Sequence, residues 1–437
     1  MMSGLRIRLP VSSKPDFRAF AANFGWLVAD KLTRLLVAVF VGAWVARYLG
    51  PERYGVLAYG LTFVSMFQAA SLLGLDNLVI RDIAAAPGQA HWFLGTSLRL
   101  RLIGAAVAYA SLGATVAVLH RGEPVTAAVI LLAGLSIFSQ TSDVVDLWFQ
   151  SQLQSKRTVV AKMLSYLTTT AFKILLISLG AGLPWFAAAS AVDTGLAAVG
   201  LYASYKLFRT SEHWCWDAGT ARKLLRQSWP LLISSLSILV YMRVSVIYLR
   251  ETAGNAQVGI YSVGAALSEL WYFLPMTIAS SIAPIISKKR VEGGDAYKRL
   301  LFKVFAGMWG LAFIVVGINI LSAKFLVGVL YGAQYAASSG IFAIHTLTFI
   351  PVCIGVTQSI WLINEGRSKL ALYQAMAGAI CALGLNIVLT PRFGAYGAAV
   401  ATVVSQFCQA FLVNALLAPD LFRLQCQSLR IVKAIRS

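Results

Sequence analysis

Apolar residues dominate this chain in long runs, interrupted at short intervals by glycine, proline and basic residues. Runs long enough to cross the roughly 30 Å of bilayer hydrocarbon fall near 20–47, 54–75, 92–119, 124–149, 157–181, 184–207, 227–250, 257–287, 299–322, 338–363, 368–390 and 394–418. They are too long for strands, carry Ala, Leu and Gly throughout, and lack the period-two alternation of a membrane barrel. The pattern predicts an all-α polytopic membrane protein of about 12 transmembrane helices. The polar stretch through Arg18 has no short apolar core ending in small residues, so the first hydrophobic helix is expected to direct insertion itself.

Composition agrees: 58% of residues are hydrophobic and 12% charged, against about a quarter charged in soluble domains. The formal charge of +20 would point to nucleic acid in a soluble protein. Here the basic residues fall in alternate loops. One side holds Arg6 to Arg18, Arg81, Lys156 to Lys162, Lys206 to Arg226, Lys288 to Lys303, Arg367, Lys369 and Arg423 to Arg436. The other holds Arg47, Arg53, Arg121, Arg250, Lys324 and Arg392. The positive-inside rule then puts both termini in the cytoplasm, and no nucleic-acid partner is implied. The outward loops are short, the longest running from Lys324 to Ala337, which leaves no outside domain for catalysis. Neither the Cys nor the His residues show metal-ligand spacing, so no metal or cofactor is expected.

An internal repeat organises the chain. Trp148 and Trp361 are each followed seven residues later by a Ser-Lys pair, at a separation of 213 residues, and Gly55-x-x-x-x-Gly60 is echoed by Gly259-x-x-x-x-Gly264. The reading is a duplicated six-helix unit: an N-terminal lobe (1–208), a basic cytoplasmic connecting loop (209–226), a C-terminal lobe (227–418) and a cytoplasmic amphipathic tail (419–437). Because six is even, the copies run parallel, and the cavity between them is the default transport site. In the tail, Leu421, Leu424, Ile431, Val432 and Ile435 oppose Arg423, Arg430 and Lys433, the pattern of a helix lying on an anionic leaflet.

The stretch Leu49-Gly50-Pro51-Glu52-Arg53-Tyr54-Gly55-Val56, with Ala58-Tyr59-Gly60, Gly74-Leu75-Asp76, Arg81 and the late Pro391-Arg392-Phe393-Gly394-Ala395-Tyr396-Gly397, resembles the oligosaccharide flippases of bacterial polysaccharide export. These include the O-antigen and exopolysaccharide repeat-unit flippases of the multidrug/oligosaccharidyl-lipid/polysaccharide exporter superfamily. The resemblance implies a V-shaped, two-lobe, alternating-access transporter in the bacterial inner membrane. It implies as substrate a lipid-linked oligosaccharide on undecaprenyl diphosphate, with a polysaccharide polymerase and assembly proteins as further partners. The alternatives are a multidrug or other small-molecule exporter of the same superfamily, and a membrane glycan polymerase or ligase.

Seven ionisable residues lie within the predicted helices: Asp30, Lys31, Arg34, Lys173, Asp193, Arg243 and Glu269. At about 2.5 to 3.5 kcal/mol for each Lys or Arg, they cannot face lipid cheaply. One reading pairs them, Asp30 with Arg34, Lys173 with Asp193 and Arg243 with Glu269. The other makes the cations Lys31, Arg34, Lys173 and Arg243 a diphosphate-binding set in the inter-lobe cavity. Asp30, Asp193 and Glu269 are then counter-charges or proton and ion carriers. Arg99, Arg101, Asp143 and Asp146 read as a salt-bridge network nearer the cytoplasm.

Overall fold

The computed structural model describes the backbone of residues 17–152, 154–207, 213–293 and 295–434. Side chains are described from Thr33 to Leu429, apart from 153, 155, 208–212, 294 and 368. Every regular element among the described residues is helical, as hydrocarbon requires of a segment that must satisfy its own backbone hydrogen bonds. The first half comprises α1 (Phe17–Ser71), α2 (Asp76–Ala85), α3 (Ala90–Leu119), α4 (Pro124–Gly134), α5 (Ser136–Ser139), α6 (Asp143–Ser151), α7 (Ser155–Ser178) and α8 (Leu183–Leu207). The second comprises α9 (Ala218–Glu269), α10 (Phe273–Glu292), α11 (Asp295–Tyr331), α12 (Ser338–His345), α13 (Phe349–Asn364), α14 (Ser368–Phe407), α15 (Val413–Leu417) and α16 (Pro419–Ala434).

Nine helical stretches among the described residues are long and apolar enough to span a bilayer. Three of them contain a backbone break, at Gly50 in α1, Gly254 in α9 and Gly394 in α14. Each break coincides with a boundary between two apolar runs. At the last of them the limbs double back closely, since a Cβ on Gly397 would lie 2.2 Å from the Leu389 carbonyl oxygen. Positive-φ glycines recur in matched positions of the two halves: Gly50 and Gly254, Gly122 and Gly332, Gly180 and Gly394. Their separations of 204, 210 and 214 residues rise in order, and the Trp148/Trp361 separation of 213 falls between the last two. A duplicated unit with small insertions has this property.

The repeated glycine pairs do the same work twice. Gly60 packs on Val129 and Ile130 of α4, and Gly264 on Ile341 and Phe342 of α12. Gly55 and Gly259 instead meet across the two halves. A Cβ on Gly55 would sit 1.8 Å from the Asn255 carbonyl oxygen, and one on Gly259 would sit 2.1 Å from that of Pro51. Side chains extend the contact. Asn255 donates to Glu52 at 3.2 Å, and the Tyr335 hydroxyl to the Ala46 carbonyl at 2.9 Å. Arg47 donates to the Val329 carbonyl at 2.6 Å, near the carbonyl end of α11. Arg250 pairs with Glu123 and lies 4.7 Å from the centre of the Tyr59 ring. Burial pushes the Glu123 carboxyl up, but hydrogen bonds from Thr126 and Arg250 and the Arg250 charge outweigh it and hold the group below the usual carboxylate range. The pair is therefore charged at neutral pH and is lost only as pH falls through that lowered value.

Two expectations change at the other end. α9 begins at Ala218, capped by the Asp217 carboxylate, which accepts the Thr220 N–H at 2.5 Å. Residues 218–226 are thus helix rather than connecting loop, because a capped polar extension continues the helix beyond its apolar run. Lys223 on this extension crosses to Asp82 of α2 at 2.9 Å. The C-terminal amphipathic stretch forms α16, but it does not rest on lipid alone. Leu421, Gln425 and Ser428 are fully buried, and Trp309 donates to the Gln425 carbonyl at 3.2 Å. The Gln425 amide joins Gln358 at 3.0 Å, beside Asn414 and Gln374. Side chains beyond Leu429, including Ile431, Val432 and Ile435, lie outside the described residues.

Gly55→Ala and Gly259→Ala are each expected to part the two halves at this end, because the new methyl group meets backbone rather than a movable side chain. With the five native cysteines (Cys215, Cys353, Cys381, Cys408 and Cys426) replaced and Glu52→Cys introduced, a membrane-impermeant maleimide should label the glycine variants faster than their parent. Equal labelling rates would show that the contact does not close this face.

Candidate functional site

One face of α7 carries the polar centre of the first half. Lys162, Tyr166, Thr170 and Lys173 recur at helical spacing, opposite Arg34 of α1 and Asp193 of α8. The Lys162 ammonium lies 2.9 Å from Asp143 and 2.7 Å from Asp146. The Arg34 guanidinium sits 4.9 Å from the centre of the Tyr166 ring, whose hydroxyl donates to the Arg34 carbonyl at 3.2 Å. Ser165 donates to the backbone oxygen of Asp193 and approaches its carboxylate at 3.1 Å.

Two cavities open onto these groups. One, of about 160 Å³, is lined by Arg34, Gln140, Asp143, Lys162 and Asp193. The other, of about 210 Å³, is lined by Tyr54, Tyr166, Lys173 and Ser190 against Val37, Val41 and Leu61. Tyr166, which lines the second, stacks on Arg34 of the first. Arg34, Lys162 and Lys173 balance Asp143, Asp146 and Asp193, so the described side chains form a charge-neutral polar centre. Lys173 has no ion pair among the described residues, and Asp193 is the charged group that acts on it. Asp30 and Lys31 lie in α1, but their side chains are outside the described residues.

The second half holds its charges differently. Arg243 presents both terminal nitrogens to Glu269, at 3.2 and 2.9 Å, the two-pronged geometry that suits guanidinium and carboxylate. Behind Glu269, Ser268 and His345 share a hydrogen bond of 2.6 Å, and Ser245, Tyr261 and Thr402 form a buried hydroxyl cluster with contacts of 2.9 and 3.1 Å. The sequence pairing of Arg243 with Glu269 is thus present. Arg243 lines neither of the two first-half cavities.

The network read near the cytoplasm is partnered otherwise. Asp143 and Asp146 take Lys162, whereas the fully buried Arg101 reaches Asp76 at the start of α2. Spacing along α3 shows that Arg99 and Arg101 point to different sides, but not which helix each side meets. Lys162 was counted only as a topology signal. The clue was available, because Asp143 and Asp146 lie three apart on one helical face and need a cation there.

The fold is a helical membrane protein of two similar halves, with charged groups opening on cavities inside the spanning region. Residues 20–290 match the polysaccharide biosynthesis protein family, and the chain belongs to it. The fold is that of the multidrug/oligosaccharidyl-lipid/polysaccharide exporter superfamily. The chain is similar to the lipid II flippase MurJ in an inward closed conformation, with a TM-score of 0.69, 14% identity and coverage of 95% of this chain and 92% of that one. It is similar also to a multidrug resistance MATE family transporter, inward-facing (TM-score 0.67, 14% identity, 90% and 95% covered) and outward-facing (0.65, 15%, 92% and 96%). No curated protein matches the sequence.

Breaking the Arg243 pair from one side strands a charge within the membrane span. Arg243→Met and Glu269→Gln are each expected to lower the thermal midpoint of the detergent-solubilised protein, and the double variant to lose less than their sum. Strict additivity would mean that the two side chains do not act as a unit.

Proposed function

We propose that this protein is a flippase that carries an undecaprenyl-diphosphate-linked oligosaccharide from the cytoplasmic to the periplasmic leaflet of the bacterial inner membrane, for O-antigen, capsule or exopolysaccharide assembly. The observation that carries the reading is the presence of Arg34 and Lys173 on cavities within the spanning region of a polysaccharide biosynthesis family member. A diphosphate needs cations where no water is available, and Arg34 and Lys173 are cations that lipid would not accept and that line cavities instead. The similarity to a lipid II flippase supports a lipid-linked substrate. The positive-inside distribution supports cytoplasmic termini.

In this reading Arg34 and Lys173, with Lys31 one helical turn before Arg34, receive the diphosphate while the lipid tail stays in the membrane. Because the polar centre is neutral, the phosphate oxygens compete with Asp193 for Lys173 and with the carboxylates of the other cavity for Arg34. Arg243 joins only when its fork leaves Glu269. Asp30, Asp193 and Glu269 are the carboxylates that take protons if transport is ion-coupled. A polymerase and assembly proteins would take the delivered unit.

Arg34→Ala and Lys173→Ala are expected to abolish surface polysaccharide with protein abundance near normal, and Arg34→Lys to keep part of it, since charge survives without the planar fork. Normal surface glycan in both Ala variants would remove these cations from the mechanism. A small-molecule exporter would instead show unchanged glycan and altered resistance to toxic solutes.

The driving force follows from charge. Two negative charges leaving a cell whose interior is negative run downhill by about 2.3 kcal/mol per charge for each 100 mV, roughly a thousandfold or more in equilibrium ratio. Reconstituted vesicles given a potassium diffusion potential at equal pH and sodium should therefore move headgroups outward. Transport that ignored the potential and followed a proton or sodium gradient would replace this with carboxylate-coupled exchange.

A further inference from the structure

A cavity of about 1210 Å³ lies in the second half, between α11, the end of α13 and α16, away from both first-half cavities. Its wall is graded. At one end stand Lys298, Arg299 and Lys303 from the first turns of α11, with Arg367 and Arg423. The anions there are Glu365 and Asp420, and Glu365 is already engaged by the Tyr297 hydroxyl at 3.0 Å and by Arg290 at 3.1 Å. Farther along α11 the wall becomes Phe302, Ala306, Gly307, Gly310, Phe313 and Ile314. A Cβ built on Gly307 or Gly310 meets nothing within 4 Å, so the groove is open there. Lys303 and Ile314 are 11 residues apart, about 16 Å of helical rise, which is close to half of the roughly 30 Å hydrocarbon core. A groove of that length matches the thickness of one leaflet, with the basic end where a headgroup would sit.

The two halves treat this place differently. In the first, the segment after α8 lies directly on α3: a Cβ on Gly95 would come within 2.3 Å of the Cys215 carbonyl oxygen, and the Asp217 N–H donates to Thr96 at 3.0 Å. The Trp214 indole closes the surface, edge-on to Tyr205 at 5.1 Å, and Tyr205 in turn meets Trp148 at 5.3 Å. In the second half the corresponding cover is α16. It is docked through Trp309 and the buried amide cluster, which leaves the cavity beside them, and Trp361, the repeat partner of Trp148, lines that cavity with the Arg367 guanidinium 5.4 Å from its ring centre.

We infer that this cavity is a binding site for an anionic phospholipid of the leaflet that faces the basic loops. The phosphate lies among Lys298, Arg299, Lys303 and Arg423, and one acyl chain runs along Gly307 and Gly310. Lysine ammonium groups and arginine forks both suit phosphate oxygens, and clustered cations at headgroup depth draw anionic lipid from the bilayer. The apolar groove adds what a free phosphate cannot use. The site requires only the membrane fold and is independent of what the protein transports.

The test uses the full-length protein in nanodiscs of phosphatidylcholine with a minor fraction of phosphatidylglycerol, retained lipid being counted by native mass spectrometry after release into detergent. Wild type is expected to retain phosphatidylglycerol selectively. Arg299→Gln with Lys303→Gln should reduce retention by roughly fivefold per charge removed. Gly310→Trp, which fills the groove and leaves every charge, should also reduce it, whereas Lys288→Gln, basic and outside the cavity, should not. Unchanged retention in either cavity variant overturns the site, and so does an equal loss in Lys288→Gln, which would indicate general surface charge. Polyprenyl phosphate displacing phosphatidylglycerol at equal mole fraction would overturn it in favour of a station for the transported lipid.

Discussion

The contact on which the rest of the structure depends is backbone against backbone: Gly55 on the Asn255 carbonyl and Gly259 on the Pro51 carbonyl. Two helical hairpins approach closely enough for this only where neither carries a side chain. The approach brings Arg250 to Glu123, Arg47 to the end of α11 and Tyr335 to Ala46. All these links join the first half to the second, and all lie at the end where Gly50, Gly122, Gly254 and Gly332 turn the chain. At this end the two halves are therefore joined through their least bulky residues, with polar groups around them. A polar lock is reversible in a way that interdigitated apolar side chains are not, because water replaces its hydrogen bonds when the halves part.

Inside the spanning region the halves have diverged in how they keep charge. The second half closes Arg243 onto Glu269 in a complete fork, with a Ser268–His345 hydrogen bond and a buried hydroxyl cluster nearby. The first half sets Arg34, Lys162, Asp143 and Asp193 on one cavity and Lys173 on another, with Asp146 beside Lys162, so that Lys173 has no ion pair among the described residues and Lys162 serves two carboxylates. A complete pair resists an incoming anion, whereas a shared one can exchange partners at smaller cost. Symmetry of fold has not meant symmetry of site. Under the proposed function the first half receives the anionic group, and the second holds a separate groove between α11, α13 and α16.

Much of this was legible along the chain. The helical class follows from the length of the apolar runs, because hydrocarbon admits no other way to satisfy a spanning backbone. The duplication was visible in Gly55, Gly60, Gly259 and Gly264, since a glycine needed for close approach cannot be replaced without loss in either copy. The pairing of Arg243 with Glu269 was legible because their helical segments are consecutive and close in depth. Charge alone told that Lys173 must avoid lipid, and the structure puts it on a cavity.

What the sequence could not supply were the partners of groups whose helices are distant in order. Arg101 finds Asp76, Lys162 takes the two aspartates, and Arg250 crosses to Glu123. In each case helical period states which side of a helix a charge occupies, but not which helix stands opposite. The start of α9 at Ala218 and the docking of α16 through Gln425 were missed for a related reason: polar residues carry no hydropathy signal, and only a cap or a buried amide partner gives them a place. Sequence by itself determined that this is a duplicated helical membrane protein with charges that lipid cannot accept. Tertiary structure alone decided which charges neutralise one another, which open on cavities, and where the two halves touch, because those depend on the relative rotation of packed helices, which local periodicity does not encode.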